Sequence, residues 1–215
     1  MKKKYFLLSL VFMIFFLNFY RGKCVNNRLA GKIIYIDPGH GGRDPGANYK
    51  DIKESDINLS ICLILREKLE MEGATVYLTR EGDYDLSSIY TSRHKKSDLS
   101  NRINLINKSN ADMYISIHLN ATPSSKWHGA QVFYDDVNKE NKKIAEVISN
   151  KLNTDRNISE IKGMYLNKNL KVPGVLIEAG FISNASDRKK LLDKNYQIKL
   201  SEQIVEGVIY YFNEK

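Results

Sequence analysis

Residues 32–42, with the sequence KIIYIDPGHGG, form the pattern from which the fold of the chain is best predicted. The apolar run before Asp37 is rich in β-branched residues, which is typical of a buried strand. The glycines that follow Pro38 predict a tight turn. Two polar side chains that can carry chemistry, Asp37 and His40, stand where this strand ends. The segment therefore predicts a strand that delivers functional groups to one edge of a sheet.

The rest of the chain alternates short apolar runs with longer amphipathic segments. Strands are predicted at residues 32–37, 74–79, 113–118, 129–134 and 172–178, and helices at 54–72, 98–110, 141–153 and 196–212. Such alternation is typical of a parallel sheet covered by helices. We therefore predict an α/β fold of three layers, α/β/α, around a twisted, mostly parallel sheet. A long polar loop at residues 81–97 is expected to border a groove.

Length and composition exclude several classes of protein. The chain has 215 residues, of which 42% are hydrophobic and 27% charged, values that exclude a mostly disordered chain, a fibre and a polytopic membrane protein. The net charge of +8 is concentrated at the N-terminus, because residues 1–24 carry five basic side chains and no acidic one. The remaining residues are nearly balanced, so no nucleic-acid partner is predicted.

The N-terminal segment has the layout of a secretory signal. Three lysines at residues 2–4 precede sixteen uncharged residues at 5–20. As a helix, that run would span about 24 Å, less than the ~30 Å hydrocarbon core of a bilayer. No A-x-A cleavage site follows. We predict an exported protein in which residues 1–30 form an uncleaved or inefficiently cleaved anchor, the only contact with the membrane, and residues 31–215 form the folded domain. Cys62 is then predicted to be a small buried residue on a helix.

Chemically capable side chains stand at the ends of three predicted strands, which terminate in His40, His118 and Glu178. Glu54 opens the first predicted helix. Ligands of open α/β sheets collect beyond the carboxyl ends of parallel strands, so these four groups are expected to meet. Two imidazoles and one carboxylate suit a catalytic Zn²⁺ that keeps a position for water. A further carboxylate, for which Glu178 is the candidate, would move that water's proton.

The residues alone leave simpler explanations open. No compact H-E-x-x-H motif is present, and a single histidine is more often a structural hydrogen-bonding residue than a metal ligand. Glu54 and Glu178 taken singly suit helix caps or solvated acids. His94, in the basic run RHKK, is expected to be exposed to solvent. His128 follows Trp127 in a loop and is interpreted as a surface residue, with contact to substrate as the alternative.

Four separated motifs carry a resemblance to a known family. They are DPGHGG at 37–42, Glu54 at a helix start, SIHLNA at 116–121 and IEAGFISN at 177–184. In this order they resemble the zinc-dependent N-acetylmuramoyl-L-alanine amidases of the type-3 amidase family, over about residues 32–212. Residues 90–107 and 121–134 are similar to its germination-specific, spore-cortex branch. The chain departs from that branch at His128, where a small residue is usual.

The resemblance implies both an activity and a set of site residues. The activity is zinc-dependent hydrolysis of the amide between N-acetylmuramic acid and L-alanine in peptidoglycan. The branch implies spore cortex as substrate, a role in muramic-δ-lactam formation and germination, and action on the forespore side. Position by position, the implied zinc ligands are His40, Glu54 and His118, and the implied catalytic acid and base is Glu178.

Three further positions match the family without a settled role. Asp37 is expected either to orient a metal ligand or to cap the turn at Pro38. Arg80 and Asn120 are expected to contact substrate or to support the loops. The family also implies an accessory activator protein, for which the basic loop at residues 93–96 is one exposed surface. A solvated charge run is the simpler interpretation of that loop.

Two other functions remain open at this point. A zinc peptidase acting on the peptidoglycan stem peptide would use the same metal chemistry and differ only in its products. A non-catalytic protein that binds the cell wall would keep the fold, but it would need neither both histidines nor both glutamates.

Overall fold

The computed structural model describes residues 27–214, so most of the anchor predicted at residues 1–30 lies outside the described residues. The strands are β1 Ile33–Pro38, β2 Asn48–Tyr49, β3 Ile52–Lys53, β4 Thr75–Leu78, β5 Met113–Asn120, β6 Gln131–Tyr134, β7 Ser159–Glu160 and β8 Gly174–Phe181. The helices are α1 Glu54–Met71, α2 His94–Lys108, α3 Glu140–Leu152, α4 Ala185–Leu191 and α5 Lys194–Asn213, with a 3₁₀ turn at Asn167–Asn169. Between residues 27 and 214, no helix combines the length and the apolar character needed to cross a bilayer.

Six strands form the central sheet, in the order β4-β1-β5-β8-β6-β7. Neighbouring strands are parallel except β6, which runs antiparallel to β8. The predicted α/β fold with a mostly parallel sheet is confirmed. The reversal of β6 follows from its connection: residues 121–130 contain no helix to carry the chain back, so the strand starts at the edge where β5 ended.

Helices cover both faces of the sheet, as the three-layer prediction requires. Alternate residues of β1 point to opposite faces. Ile34 and Ile36 pack in the larger apolar cluster with α1, α3 and α5. Tyr35 packs on the other side with Tyr114 of β5 and Ile106 of α2. Cys62 of α1 is fully buried in the larger cluster, as predicted.

The short elements were not predicted. The β2–β3 hairpin and β7 have two residues per strand, too few for an alternating pattern. Helix α4 has seven residues and is fixed at its start by Asn184, whose Oδ1 accepts hydrogen bonds from the amides of Ser186 and Asp187. Helix α2 begins at His94 rather than residue 98, so the loop predicted at 81–97 is shorter.

Candidate active site

The turn after β1 holds His40 in an unusual conformation. Its φ is 62°, in the left-handed region that residues with side chains seldom adopt. Gly41 and Asp44 close the turn by exchanging backbone hydrogen bonds of 2.8 and 3.1 Å. His40 Nδ1 lies 3.1 Å from Asp44 Oδ2, and Nε2 lies 3.3 Å from Glu54 Oε1. The imidazole is therefore fixed from one side by Asp44 and faces Glu54 with the other.

Glu54 is the first residue of α1 and joins the two histidines. His118 lies on β5, and its Nδ1 is 3.1 Å from Glu54 Oε1. The same oxygen accepts hydrogen bonds from Leu119 N at 2.9 Å and Asn58 Nδ2 at 3.3 Å. Glu54 Oε2 accepts from Ala47 N at 2.8 Å. Both carboxylate oxygens are thus held in place by the backbone.

The protonation state of Glu54 suits a metal site. Burial alone would raise the pKa of Glu54, but its hydrogen bonds with His118 and His40 outweigh burial and hold that pKa well below its usual range. The carboxylate therefore stays ionised. One ligand atom from each of His40, Glu54 and His118 lies within 4.8 Å of the other two. Two imidazoles and an ionised carboxylate at this spacing fit a catalytic zinc ion.

Glu178 brings a second carboxylate to the same place. It lies on β8 directly beside His118 in the parallel pairing of β8 with β5. Its Oε2 is buried and has no hydrogen-bond partner among the described residues. Burial, helped by the charge of Glu54, raises the pKa of Glu178 to about 7, although the nearby histidines act in the opposite direction. A carboxyl group with this pKa can accept and return a proton near neutral pH.

One cavity of about 290 Å³ is lined by His40, Glu54, His118 and Glu178 together. These four side chains therefore meet at the carboxyl edge of the sheet, as predicted. The cavity is also lined by residues of α2 and by Met164, Leu166 and Asn167. Asn167 is 1% exposed, and its Oδ1 has no partner among residues 27–214. Asn167 was not predicted as a site residue, because it belongs to no strand end or motif.

Two buried arginines, which we call the arginine clamp, hold the backbone of the histidine turn. Arg80 donates to the carbonyl oxygens of Pro38 at 3.0 Å, Gly39 at 3.0 Å and Ser55 at 2.8 Å. Arg102 donates to the carbonyl oxygens of Pro38 at 2.8 Å and His40 at 2.6 Å. Each arginine is 1% exposed. The clamp fixes the turn that carries His40 against the start of the helix that carries Glu54.

Asp37 makes neither of the two direct contacts that its predicted roles would require. Its carboxylate accepts hydrogen bonds from Thr79 Oγ1 at 2.6 Å, Arg102 Nη1 at 2.8 Å and Ser116 Oγ at 2.8 Å. Within the described chain, no hydrogen bond joins it to a histidine or to the amides of the turn. Asp37 is instead the buried counter-ion of Arg102, which opposes the effect of burial and lowers the pKa of Asp37. It reaches His40 only through that arginine.

A comparison with known families decides the identity of this site. The model of the N-acetylmuramoyl-L-alanine amidase family, Amidase_3, matches residues 34–210. The chain belongs to this family. It is an enzyme of the N-acetylmuramoyl-L-alanine amidase class, and the resemblance stated from the four motifs is confirmed.

Individual relatives of this amidase agree with the assignment. The germination-specific N-acetylmuramoyl-L-alanine amidase of Bacillus subtilis (strain 168) is 47% identical over 195 residues, which cover 87% of this chain and 82% of that protein. The CwlD amidase from Clostridioides difficile, solved in complex with the GerS lipoprotein, superimposes with a TM-score of 0.82 at 40% identity, covering 86% of this chain and 100% of that one. The catalytic domain of CwlV, an amidase from Bacillus (Paenibacillus) polymyxa var. colistinus, gives a TM-score of 0.74 at 26% identity, covering 86% and 99%.

Other residues selected from the sequence lie outside the cavity or have different contacts. Arg80 supports the loop rather than facing substrate, because its guanidinium is used by backbone carbonyls. Asn120 contributes its backbone oxygen, which accepts from Ile182 N at 2.9 Å. His128 is exposed, as interpreted. The prediction that His94 is exposed is wrong: it is half-buried, 2.8 Å from Arg43 Nη1 and 3.2 Å from Ser87 Oγ.

Replacing Arg102 with Met is expected to destabilise the amidase by about 3–5 kcal/mol, because the change leaves the buried carboxylate of Asp37 without its counter-ion. Urea unfolding measures the free energy of unfolding. The matched control is Arg66→Met, since Arg66 pairs with Glu81 on the surface and such pairs contribute at most about 1 kcal/mol. If Arg102→Met lowered the free energy of unfolding no more than the control does, the stabilising role of the arginine clamp would be contradicted.

Proposed function

We propose that this amidase hydrolyses the amide between the lactyl group of N-acetylmuramic acid and L-alanine in peptidoglycan, with zinc held by His40, Glu54 and His118. One observation carries the proposal: three metal-binding donors and Glu178, whose Oε2 has no hydrogen-bond partner among residues 27–214, line a single cavity. Burying such an oxygen unpaired costs about 1–3 kcal/mol, a cost that a reacting group explains.

The chemistry divides between the metal and the protein. When bound, zinc supplies a Lewis acid that polarises the scissile carbonyl and makes water more acidic. Glu178 accepts a proton from the attacking water, whose oxygen forms a bond to the carbonyl carbon. As the carbon–nitrogen bond breaks, Glu178 returns that proton to the departing nitrogen of L-alanine. The raised pKa of Glu178 suits both transfers.

The proposed zinc ligands are held in place by hydrogen bonds from residues that are not themselves ligands. Asp44 holds Nδ1 of His40, which leaves Nε2 as the coordinating atom. Asn58 and the amides of Ala47 and Leu119 orient Glu54. These contacts keep the donors in position before a metal arrives.

Replacing Gly39 with Ala is expected to weaken zinc binding about 10- to 100-fold, a loss typical of disturbed support around a metal ligand. A Cβ at this position would lie 2.2 Å from Cε1 of His118, so the ring must move. Competition with a zinc indicator measures the affinity. The control is Gly82→Ala, because a Cβ there would meet only the ring of Tyr84, at 3.2 Å. Unchanged zinc affinity in Gly39→Ala would count against His118 as a ligand.

Spore cortex is the proposed form of the substrate. Support comes from the relative in Bacillus subtilis, whose name describes it as germination-specific. Removal of stem peptides from muramic acid would prepare the cortex for muramic-δ-lactam formation by a separate deacetylase. The proposal predicts spores that lack δ-lactam and germinate poorly when the gene is deleted. Normal δ-lactam content in such spores would contradict the cortex assignment but not the amidase activity.

Export and an accessory partner complete the proposal. We propose that residues 1–30 carry the protein out of the cytoplasm and anchor it, with residues 31–215 as the zinc amidase domain. The complex of the CwlD amidase with the GerS lipoprotein supports an accessory protein for this chain as well. N-terminal sequencing of the cell-associated protein tests the anchor, since a start beyond residue 30 would contradict it.

The bond that is cleaved distinguishes the proposal from its rivals. Peptidoglycan digested with the purified protein is analysed by mass spectrometry. Intact stem peptides with a free L-alanine amino terminus are expected. Shortened peptides or free D-amino acids would instead identify a peptidase. Binding of peptidoglycan without any product, by a protein shown to contain zinc, would favour a non-catalytic wall protein.

A further inference from the structure

The guanidinium of Arg156 is held in a fixed orientation outside the cavity just described. Its Cζ lies 5.2 Å from the ring centroid of Trp127 and 5.0 Å from that of Phe181. Its Nε donates a hydrogen bond to Gln131 Oε1 at 2.8 Å. The two terminal nitrogens have no partner among the described residues. Two aromatic contacts and one hydrogen bond thus restrain the group while its outer donors stay available.

The surroundings of Arg156 are basic. It borders a cavity of about 700 Å³ that is also lined by Lys126, Lys190 and Lys199. Of the described residues that line this cavity, only Asp155 is acidic. Trp127 is 54% exposed and offers a ring face next to these cations. The charge of the cavity favours an anion, and the fork of Arg156 matches the two oxygens of a carboxylate.

The side chain of Gln131 connects Arg156 to the pair of strands that includes Glu178. Gln131 of β6 lies directly opposite Glu178 of β8 in their antiparallel pairing, where facing Cβ atoms are about 5 Å apart. Gln131 in turn accepts the hydrogen bond from Arg156. Phe181, which packs on the guanidinium, follows Glu178 by three residues on the same strand. Arg156 therefore lies at the carboxyl edge of β8, hydrogen-bonded to the residue that pairs with Glu178.

We propose that Arg156 binds a carboxylate of the peptidoglycan stem peptide and so fixes the direction in which that peptide leaves the scissile bond. The inference rests on the proposed function, because it takes the muramoyl–L-alanine amide to lie at Glu178. A residue of extended peptide spans roughly 3.5 Å, so the second and third residues of the stem lie about 7–10 Å beyond the scissile bond. Those residues carry free carboxylates in unmodified peptidoglycan and neutral amides in amidated forms.

Kinetics on a matched pair of substrates tests the proposal. One muramoyl peptide carries free stem carboxylates, and the other carries the corresponding amides. For the free acid, Arg156→Gln is expected to raise KM about 10- to 100-fold with little change in kcat, because a charged hydrogen bond made equally in ground and transition states is lost. The amidated substrate should show no such change. Arg156→Lys keeps the positive charge but not the forked guanidinium, so KM for the free acid is expected to rise less than in Arg156→Gln. Arg66→Gln, which alters an arginine paired with Glu81, is the control.

A binding measurement separates this proposal from the proposed function. Calorimetry with the free tripeptide L-Ala-D-Glu-diaminopimelate requires no hydrolysis, and Arg156→Gln should weaken binding by a similar factor. The subsite would be overturned if Arg156→Gln changed KM equally for the free-acid and the amidated substrate. It would also be overturned if the variant bound the tripeptide as tightly as the wild type. Tripeptide binding that depends on Arg156, in a protein that hydrolyses neither substrate, would support the subsite and contradict the amidase mechanism. Thermal unfolding of both Arg156 variants checks that they are folded.

Discussion

Replacing Glu178 with Gln is expected to lower kcat by a factor of about 10²–10⁴ while one zinc ion per chain is retained. The amide has nearly the shape of the carboxyl group but cannot accept a proton from water. The effect should fall on kcat rather than on KM, because the proton moves only as the reaction proceeds. Release of free L-alanine amino termini measures the rate, and atomic emission measures the metal.

Glu70→Gln is the matched control for this substitution. Glu70 is exposed on α1, outside the residues that line the active-site cavity, so the same chemical change there should leave kcat unaltered. A Glu178→Gln protein with wild-type kcat would refute the assignment of Glu178. If that variant instead loses its zinc, Glu178 belongs to the metal site and another group must move the proton.

Replacing His118 with Ala is expected to abolish stoichiometric zinc binding and, with it, hydrolysis. The remaining donors, His40 and Glu54, would form an incomplete set, since catalytic zinc sites in proteins use three protein ligands. Because a ligand that binds only the folded state stabilises it, zinc should raise the melting temperature of the wild type, and that increase should disappear in the variant. Thermal unfolding with and without zinc measures both.

His128→Ala provides the control for a histidine substitution. His128 is exposed in the loop before β6, and it is absent from the lining of the active-site cavity. Its zinc content and melting temperature should match those of the wild type. A His118→Ala protein that keeps one tightly bound zinc ion would show that the metal has other ligands.

The sequence predicted the parts of the site that depend on local pattern. His40, His118 and Glu178 each follow an apolar run that ends at a sheet edge, and parallel strands bring such ends together. The order of β1, β5 and β8 in the sheet makes them neighbours. The position of Glu54 at the start of α1 also follows from the helical pattern that begins there.

The supporting contacts were not predictable in the same way. Arg102 meets Asp37 across 65 positions of sequence, and no periodicity links the two. Arg102 was not selected from the sequence, whereas the buried carbonyls of the histidine turn require a donor there. Gln131 and Arg156 likewise meet across 25 positions of sequence, and no local pattern links the two. Contacts that depend on three-dimensional packing rather than on local sequence therefore account for most of what was missed.

Titration of metal-free protein with zinc tests whether this chain is a zinc-dependent amidase. A muramoyl peptide serves as substrate, and the rate at which free L-alanine amino termini appear is followed as zinc is added. We expect no cleavage without metal, then a rate that rises in proportion to zinc and levels off at one equivalent per chain. Full activity of the metal-free protein, or products in which the muramoyl–L-alanine bond is intact, would contradict it.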